Sequence, residues 1–371
     1  MPMEINTYST WLEIDLNAIR SNVALIQQKT GKEVMAVIKA NGYGHGAIPS
    51  AQAAVKGGAT WCGVARIEEA LALRKAGISC RIMVLGYTPP AKVIEAIEQR
   101  ITVAIIDTDL TAEYLKYANL NGNRLDAHIK VETGMGRLGM LPGQVPDFLR
   151  SLKGSNIDVS GIFTHFPRAD EPRSRDTLAQ VKTFKSLLKQ LEADGLKPRI
   201  VHAANSAAML NFPGSWFDLV RPGNAIFGLH PSPETHLTDD FLPALQWKAR
   251  ITSLRLTPPG RGISYGSMYR TTHDERIGVI PIGYGDGFRR VDKQEVLVHG
   301  KRARVVGRVC MDQCMLQLDG VPDAKIGDEV VLVGRQGSEF ISIDEVAKRW
   351  GTINYEVVCG LAERLPRIYI E

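Results

Sequence analysis

The sequence has no long hydrophobic run. Its 371 residues contain no apolar stretch of about 18 or more, the length that a membrane-spanning helix requires. The first 20 residues also lack a basic segment followed by an apolar one, which is the pattern of a secretory signal. We therefore expect a cytoplasmic protein that does not span a membrane.

The sequence also lacks a block of like charges. Its net charge is +5, and its Lys and Arg residues are spread along the chain. Proteins that bind nucleic acid usually concentrate such residues on one surface, so we do not expect nucleic acid as a partner. A pocket for a small anion is compatible with this weakly basic composition.

Cysteine is scarce, with five residues at positions 62, 80, 310, 314 and 359. An odd number with irregular spacing does not indicate a disulfide framework. Cys310 and Cys314 are close in sequence, but no second Cys or His pair lies near them. We therefore predict no metal site and interpret these two as small buried residues.

Short apolar runs alternate with amphipathic segments up to about residue 228. Runs that are apolar throughout are typical of strands buried on both faces of a parallel sheet. Eight such runs in about 230 residues predict a (β/α)₈ TIM-type barrel over residues 1–240, with an open doubly wound sheet as the alternative. The eight runs are 34–39, 61–65, 81–86, 101–106, 125–131, 158–165, 199–205 and 217–228.

The pattern changes after about residue 240. Runs such as "RIGVIPIGYG" and "DEVVLVG" are rich in β-branched residues and are separated by Gly, Pro and Asp. One helix is predicted at "SIDEVAKRWG", where Ser342 and Glu345 have the spacing of a capping box. Residues 241–371 are therefore predicted to form a second, mainly β domain.

Polar residues follow several of the predicted barrel strands. In a (β/α)₈ barrel the chemistry takes place at the C-terminal ends of the strands, so these residues are candidates for a site. The candidates are Lys39, Lys130, Glu132, Arg137, His165, His202, Asn205, Ser206, Arg221 and Gly223.

Lys39 and Ser206 each have two interpretations. A lysine at the end of a buried strand suits Schiff-base chemistry, but it can equally form an ion pair with a carboxylate such as Glu132. Ser206 can donate to a phosphate oxygen in the region after strands seven and eight, or it can simply cap a helix. Together, a lysine and a phosphate site on one rim point to pyridoxal phosphate.

Motifs in both halves of the chain resemble those of bacterial alanine racemases, which are pyridoxal-phosphate-dependent enzymes of fold type III. The matching segments occur in the order of the family between residues 36 and 369. They include "AVIKANGYGHG", "HIKVETGMGRLG", "HAANSAA", "VRPGNAIFG", "ISYGSMYRT", "PIGYGDG", "GRVCMDQCM" and "RLPRIY".

This resemblance implies an enzyme that interconverts L- and D-alanine and so supplies D-alanine for peptidoglycan. It implies a head-to-tail homodimer in which the β domain contributes to the active site of the partner. The two catalytic bases would be Lys39 and, from the other subunit, Tyr265. A strand at about residues 10–15 is expected to join the β domain.

The resemblance also implies roles for individual residues. The cofactor would be held by Lys39, Tyr43, His165, Ser206, Arg221, Gly223 and Tyr355. The substrate carboxylate would be received by Arg137 and the N–H of Met311, with His202 and Asp312 as supporting residues and Tyr284 at the entrance. Lys130 occupies a position that is carbamylated in some relatives.

Three residues depart from the common family pattern. Gly42 and Gly285 replace an alanine found in many relatives, and Glu132 replaces an aspartate. Other activities compatible with the barrel are decarboxylation of basic amino acids, racemisation of a broader set of amino acids, and non-catalytic carriage of pyridoxal phosphate. The tyrosine in "SYGS" and the presence of a β domain favour the alanine racemase interpretation.

Overall fold

The computed structural model describes residues 7–122 and 124–371. The chain divides into two compact units. The first, which we call the barrel unit, comprises Asn17–Pro243, and the second, the sheet unit, comprises Met1–Leu16 and Ala244–Glu371. Strand β1 (Thr10–Asp15) belongs to the sheet unit.

The barrel unit contains a closed barrel of eight parallel strands. Strands β2 and β9 are neighbours, with Glu33 opposite Leu219, and this pairing closes the barrel. The predicted (β/α)₈ barrel is therefore confirmed, and the open-sheet alternative is wrong. The strands are β2 (Glu33–Val37), β3 (Trp61–Val64), β4 (Arg81–Val84), β5 (Ile101–Ile105), β6 (Leu125–Lys130), β7 (Ile157–Phe163), β8 (Ile200–Asn205) and β9 (Leu219–Arg221).

Large apolar side chains fill the interior of the barrel. A single cluster combines residues from strands on different sides of the barrel, as expected when alternate residues of each strand point inward. Its buried members are Met35, Trp61, Met83, Ala104, Ile106, Phe163 and Leu219. This packing makes the barrel wall a fixed frame for the residues that follow each strand.

The helices of the barrel unit follow the predicted amphipathic segments. Gly77 and Gly195 lie just beyond the ends of two of them with positive φ, as predicted. The helices are α1 (Leu16–Thr30), α2 (Lys39–Tyr43), α3 (Ala47–Lys56), α4 (Ile67–Lys75), α5 (Val93–Glu98), α6 (Thr108–Asn121), α7 (Val145–Ser151), α8 (Arg175–Ala193) and α9 (Ser206–Asn211). Within the described ranges, no helix has both the length and the apolar character needed to cross a bilayer.

The eighth predicted strand is much shorter than its apolar run. The prediction covered 217–228, whereas β9 contains only Leu219–Arg221. Pro222 has no N–H to donate to a sheet, and residues Asn224–Phe227 turn into a short 3₁₀ helix. The early end of β9 leaves the backbone at Gly223 available to line the rim of the barrel.

The sheet unit is built on a large mixed sheet. Its strands lie in the order β11-β14-β17-β16-β15-β18-β10-β1-β20, with β19 paired to β18, while β12 and β13 form a separate hairpin. The strands are β10 (Leu245–Arg250), β11 (Ser253–Thr257), β12 (Gly262–Ile263), β13 (Tyr269–Arg270), β14 (Glu275–Ile280), β15 (Glu295–Val298), β16 (Lys301–Val306), β17 (Cys314–Gln317), β18 (Glu329–Gln336), β19 (Glu339–Ile341) and β20 (Arg367–Ile370).

Strand β1 lies inside this sheet. It is antiparallel to β10 and parallel to β20, so the two ends of the described chain meet in one sheet. The unit also has two helices, α10 (Ile343–Trp350) and α11 (Asn354–Cys359). Ser342 caps α10 by accepting the Glu345 N–H at 3.0 Å, as its spacing predicted.

Candidate active site

The chain enters a left-handed turn directly after β2. Ala40, Asn41, Gly42 and Tyr43 all have φ between 51° and 62°. A left-handed conformation costs about 1–2 kcal/mol for each residue other than glycine, so the turn needs support from its surroundings. Glu69 of α4 accepts the Ala40 N–H at 2.7 Å.

Lys39 and Tyr43, at the two ends of this segment, differ in burial. The Lys39 side chain is exposed at the rim, with its Nζ 6.0 Å from the centre of the Tyr43 ring. The prediction that Lys39 ends a buried strand is therefore wrong, because β2 stops at Val37 and the turn carries the lysine outward. Tyr43 is buried, with 6% of its surface exposed.

The hydroxyl of Tyr43 meets the backbone at Gly223. A Cβ atom added to Gly223 would lie 2.4 Å from the Tyr43 oxygen, so this approach requires glycine. The Gly223 N–H donates to Ser206 Oγ at 3.0 Å. Three predicted phosphate residues from separate parts of the barrel, Tyr43, Ser206 and Gly223, thus converge on one small region.

Ser206 does not cap a helix. The N-cap of α9 is Asn205, whose side chain accepts the Ala208 N–H at 2.9 Å. The capping interpretation of Ser206 is therefore wrong, since the asparagine before it has the extended backbone that a cap requires. Ser206 Oγ accepts hydrogen bonds from the N–H groups of Gly223 and Ala225. Neither bond uses its own hydroxyl proton, which can therefore be donated to another acceptor.

Arg221 is fixed by buried hydrogen bonds at the end of β9. Its Nη2 donates to the carbonyl oxygens of Thr164 and Ala203 at 2.8 and 3.0 Å. Burial lowers the pKa of Arg221 to about 9, so the guanidinium is still cationic at neutral pH. The same Nη2 lies 3.3 Å from Nδ1 of His165.

Two buried histidines continue from Arg221 into the barrel. Arg221 Nη1 is 3.0 Å from His202 Nδ1, and His202 Nε2 is 2.8 Å from His128 Nδ1. Burial lowers the pKa of His128 to about 3 and that of His202 well below its usual range. Both rings are therefore neutral, and because Arg221 can only donate, each histidine accepts at Nδ1 and carries its proton on Nε2.

His128 was not among the predicted site residues. The signal for it was present, because residues two apart on a strand share a face, and His128 precedes Lys130 by two in β6. His128 lies within β6 and not at its end, so the hydrogen-bonded side chains extend from the rim into the interior of the barrel. His165, by contrast, is half-buried at the rim, and burial together with the charge of Arg221 lowers its pKa.

Lys130 is a buried amine among other cations. Only 4% of its surface is exposed, and its Nζ lies 5.5 Å from the centre of the Phe163 ring. Burial, and then the charges of Arg137 and Arg221, lower its pKa to about 8. A substantial fraction of this amine is therefore neutral near pH 8.

Glu132 organises the loop that carries Arg137. Its carboxylate accepts the backbone N–H groups of Gly134, Gly136 and Arg137, the last two at 2.9 and 3.4 Å. Burial opposes ionisation of Glu132, but these N–H groups outweigh it and lower the pKa of the carboxyl. Arg137 itself is exposed, so its guanidinium is accessible to a ligand.

In the sheet unit, Tyr265 stands on a strained turn. Ser264 and Ser267 both have positive φ, at 64° and 47°, although neither is glycine. Ser264 Oγ donates to the Arg308 carbonyl at 2.6 Å, which holds the turn in place. The Tyr265 side chain is 68% exposed, so it projects away from its own unit.

Met311 and Tyr284 lie on the same surface of the sheet unit. A pocket there is lined by Tyr265, Met311 and Asp312, among other residues. The segment at Tyr284 is joined to this pocket because the Gly285 N–H donates to the Met311 carbonyl at 2.9 Å. Met311 is 54% exposed and Tyr284 46%, so we call this surface the exposed tyrosine face.

Arg364 connects two acidic residues at the exposed tyrosine face through hydrogen bonds. Its Nη2 donates to Asp312 at 2.8 Å and its Nε to the buried Asp286 at 2.7 Å. Asp286 in turn accepts the Gly283 N–H, which fixes the turn containing Tyr284. Arg364 belongs to the "RLPRIY" motif, to which the sequence analysis assigned no role.

Tyr355 belongs to α11 of the sheet unit, where it is half-buried. Cys314 is buried in β17, as its interpretation as a small core residue predicted, whereas Cys310 is only partly buried beside Ser264. In the part of the chain that the structure describes, no three His, Cys, Asp or Glu side chains cluster closely enough to hold a metal ion.

Comparisons with known proteins cover nearly the whole chain. The profile of the alanine racemase N-terminal domain matches residues 14–231, and that of the C-terminal domain matches 244–369. The chain belongs to the alanine racemase family. An alanine racemase of Desulforamulus reducens is 44% identical over 367 residues, which are 97% of this chain and 98% of that protein.

Solved structures of the alanine racemase family agree closely with the fold. The alanine racemase of Bacillus anthracis with bound L-Ala-P has a TM-score of 0.92 and 41% identity, covering 98% of this chain and 95% of that one. The enzyme of E. faecalis has a TM-score of 0.92 and 38% identity over the full length of both chains. The alanine racemase resemblance seen in the sequence motifs is therefore confirmed.

Proposed function

We propose that the protein is an alanine racemase that interconverts L- and D-alanine with pyridoxal phosphate as cofactor. Membership of the family over both domains supports the reaction and the substrate. The observation that carries the cofactor assignment is the convergence of Tyr43, Ser206 and Gly223 on the same rim as Lys39 and Arg221.

The residues on the rim fit the cofactor. The space beside Gly223, which a Cβ would close, is bordered by the hydroxyls of Tyr43 and Ser206, and both can donate to phosphate oxygens. Tyr355 is proposed as a further phosphate ligand. Lys39 has the amine needed to attach the aldehyde, and Arg221 would donate to the ring nitrogen. When bound, the cofactor would make the α-proton of alanine acidic.

Arg221 would determine whether the ring nitrogen of a bound cofactor carries a proton. A guanidinium has only donors, so it cannot receive a proton from its partners and cannot hand one to the ring. The neutral His202 and His128 behind it offer no proton either, because burial disfavours their charged forms. These residues would thus orient the ring without protonating it.

Racemisation requires proton removal on one face of the α-carbon and proton delivery on the other. We assign one face to the Lys39 amine and the other to the phenol of the partner's Tyr265. The exposure of Tyr265 supports this assignment, since its side chain is available to a second subunit. The proposed enzyme is therefore a homodimer in which each active site uses both chains.

The substrate carboxylate would lie between Arg137 and the N–H of the partner's Met311. Arg137 is exposed on a loop that Glu132 holds in place, which suits a cation that must reach a ligand. Tyr284 and Asp312 lie on the same face as Met311 and would border the entrance. A bordered entrance of this kind favours a small side chain such as a methyl group.

Lys130 is proposed to be carbamylated. The reaction joins the neutral amine to carbon dioxide and releases a proton, so it needs an amine with a lowered pKa, which burial provides here. The resulting negative charge would be stabilised by the guanidinium groups of Arg137 and Arg221, whose charges now act on the amine. The attraction between the carbamate and the guanidinium would keep Arg137 in position to bind the substrate carboxylate.

An assay on single amino acids tests the proposed function. Purified protein with pyridoxal phosphate is incubated with one L-amino acid at a time, and loss of optical rotation and release of carbon dioxide are followed. We expect loss with alanine, a much slower loss with serine, and no carbon dioxide from lysine or ornithine. Absence of any loss with alanine would refute the proposal. In a bacterium, the product would supply peptidoglycan synthesis.

A further inference from the structure

A pair of cysteines lies in the barrel wall, away from the candidate active site. Cys62 is the second residue of β3, and Cys80 directly precedes β4. Their sulfur atoms are 3.6 Å apart and both are free thiols. The pair therefore lies near the N-terminal edge of the barrel, whereas Lys39 follows the C-terminal end of β2.

The two thiols have different surroundings. Cys62 is fully buried, while Cys80 is partly exposed. Arg74 of α4 is fixed beside Cys80, because its Nη1 donates to the carbonyl oxygens of Ile78 and Cys80 at 2.5 and 2.7 Å. Its Nε also donates to the Gln99 carbonyl, so the guanidinium cannot easily move away.

These surroundings distinguish the chemistry of the two sulfur atoms. Hydrogen bonding from Cys62 and the charge of Arg74 lower the pKa of the Cys80 thiol despite its partial burial. The same hydrogen bond, together with burial, raises the pKa of Cys62 well above its usual range. A partly exposed sulfur with thiolate character beside a buried thiol is the arrangement of an attacking and a resolving cysteine.

We propose that Cys62 and Cys80 form a site of reversible oxidation, in which a hydroperoxide converts the pair to a disulfide. The Cys80 thiolate attacks the peroxide oxygen and breaks the O–O bond. This leaves a sulfenic acid on Cys80 and a hydroxide or alkoxide, which takes up a proton from the solvent to give one molecule of water or alcohol. Cys62 then attacks this sulfur, loses its proton, and displaces a second molecule of water as the S–S bond forms. A thiol reductant reverses the change by exchange.

The second step, in which Cys62 attacks the Cys80 sulfur, requires only a small movement. A disulfide has an S–S length of about 2.05 Å, so the two sulfur atoms must approach by about 1.6 Å in total. Cys80 precedes its strand and follows the turn at Gly77, so it is not held by a complete strand ladder. A neighbouring thiol at this distance also limits oxidation of Cys80 beyond the sulfenic acid.

Peptide mapping of the full-length protein tests the proposal. The protein is treated with hydrogen peroxide, digested without reductant and analysed by mass spectrometry. We expect a peptide that joins Cys62 to Cys80, lighter by two hydrogen atoms than the sum of its parts and absent after treatment with dithiothreitol. If the joined peptide does not form while the exposed Cys359 is oxidised, the proposal is wrong.

Two variants identify the attacking sulfur. In Cys62→Ser, which keeps a hydrogen-bond donor beside Cys80, dimedone present during oxidation should label Cys80 faster than Cys359, because Arg74 remains in place and serine cannot resolve the sulfenic acid. In Cys80→Ala, Cys62 should stay a thiol. Cys314→Ala removes another buried cysteine and should still give the joined peptide. Labelling of Cys80 no faster than Cys359 in the folded protein would overturn the assignment of roles.

Discussion

The barrel rim and the exposed tyrosine face hold their polar residues by different means. On the rim, Arg221 is held by hydrogen bonds to two backbone carbonyls and to His202, and only 4% of its surface is exposed. On the exposed tyrosine face, Tyr265 is 68% exposed and is positioned by its backbone turn. The rim is thus organised by buried hydrogen bonds within one unit, whereas Tyr265 and Met311 are exposed on the surface of the other unit.

Because of this difference, substitutions in the two regions should have different effects on stability and on activity. Residues of the rim contribute to both, because removing one leaves buried partners without hydrogen bonds. Residues of the exposed tyrosine face touch few neighbours, so we expect their loss to change catalysis and leave folding almost unaffected.

Tyr265→Phe removes only one hydroxyl from the exposed tyrosine face. If this phenol is the second base, racemisation should fall by about 10²–10⁴-fold in both directions, the usual contribution of a general base. In deuterium oxide, Lys39 should still exchange the α-proton of one enantiomer without forming its mirror image. Polarimetry and NMR measure the two effects. Loss of exchange from both enantiomers alike would argue against two separate bases.

Arg221→Met removes the central donor of the rim. The carbonyls of Thr164 and Ala203 and the Nδ1 of His202 would lose a buried donor, so we expect a loss of about 2–5 kcal/mol in the free energy of unfolding, with weakened cofactor binding. Denaturant unfolding measures it. The matched control is Tyr265→Phe, which should change stability by less than about 0.5 kcal/mol. Equal losses in the two variants would remove the distinction between the regions.

Gly223→Ala tests the proposed phosphate site. The new Cβ would meet the Tyr43 oxygen at 2.4 Å and its Cζ at 2.9 Å, so the ring must move. We expect cofactor affinity to fall about tenfold or more, which corresponds to about 1.4 kcal/mol. Titration of the apoprotein with pyridoxal phosphate measures this. Gly143→Ala, where an added Cβ has no neighbour within 4 Å, should leave the affinity unchanged. Similar affinities in both variants would exclude this site.

The buried amine of Lys130 should make the stability of the protein depend on pH. Burial lowers the pKa of Lys130 to about 8 in the folded protein from its usual 10.5, so the unfolded chain binds more protons between these values. Stability should therefore rise with pH across this window, in buffer freed of carbon dioxide. Lys130→Met should lack this rise. Thermal unfolding at several pH values measures it, and parallel curves for the two proteins would show that the amine is not perturbed.

The sequence predicted the barrel well because its signals are local. Eight apolar runs and their intervening amphipathic segments each reflect burial of one element, and "SIDEVAKRWG" carries its own cap. The length of β9 was predicted wrongly because apolar character continues through "NAIFG", which is buried as a 3₁₀ turn and not as a strand. Periodicity does not distinguish these two ways of burying a short segment.

The arrangement of the site depended on information that is not local. The exposure of Lys39 follows from four consecutive left-handed residues, three of which are not glycine, and their support by Glu69 comes from another helix. His128 was missed because its partner, His202, is 74 positions away and the pair is recognised only once the barrel closes. Arg364 likewise acts through Asp286 and Asp312, which are distant in sequence.

We propose that each active site takes Lys39 from one chain and Tyr265 from another. Complementation between Lys39→Ala and Tyr265→Phe tests it most directly, because a mixed dimer contains one site with both native residues and one with neither. Random assembly of the two coexpressed variants should restore about a quarter of the wild-type specific activity, although each variant alone is nearly inactive. Activity of the mixture no greater than the average of the separate variants would contradict the shared site.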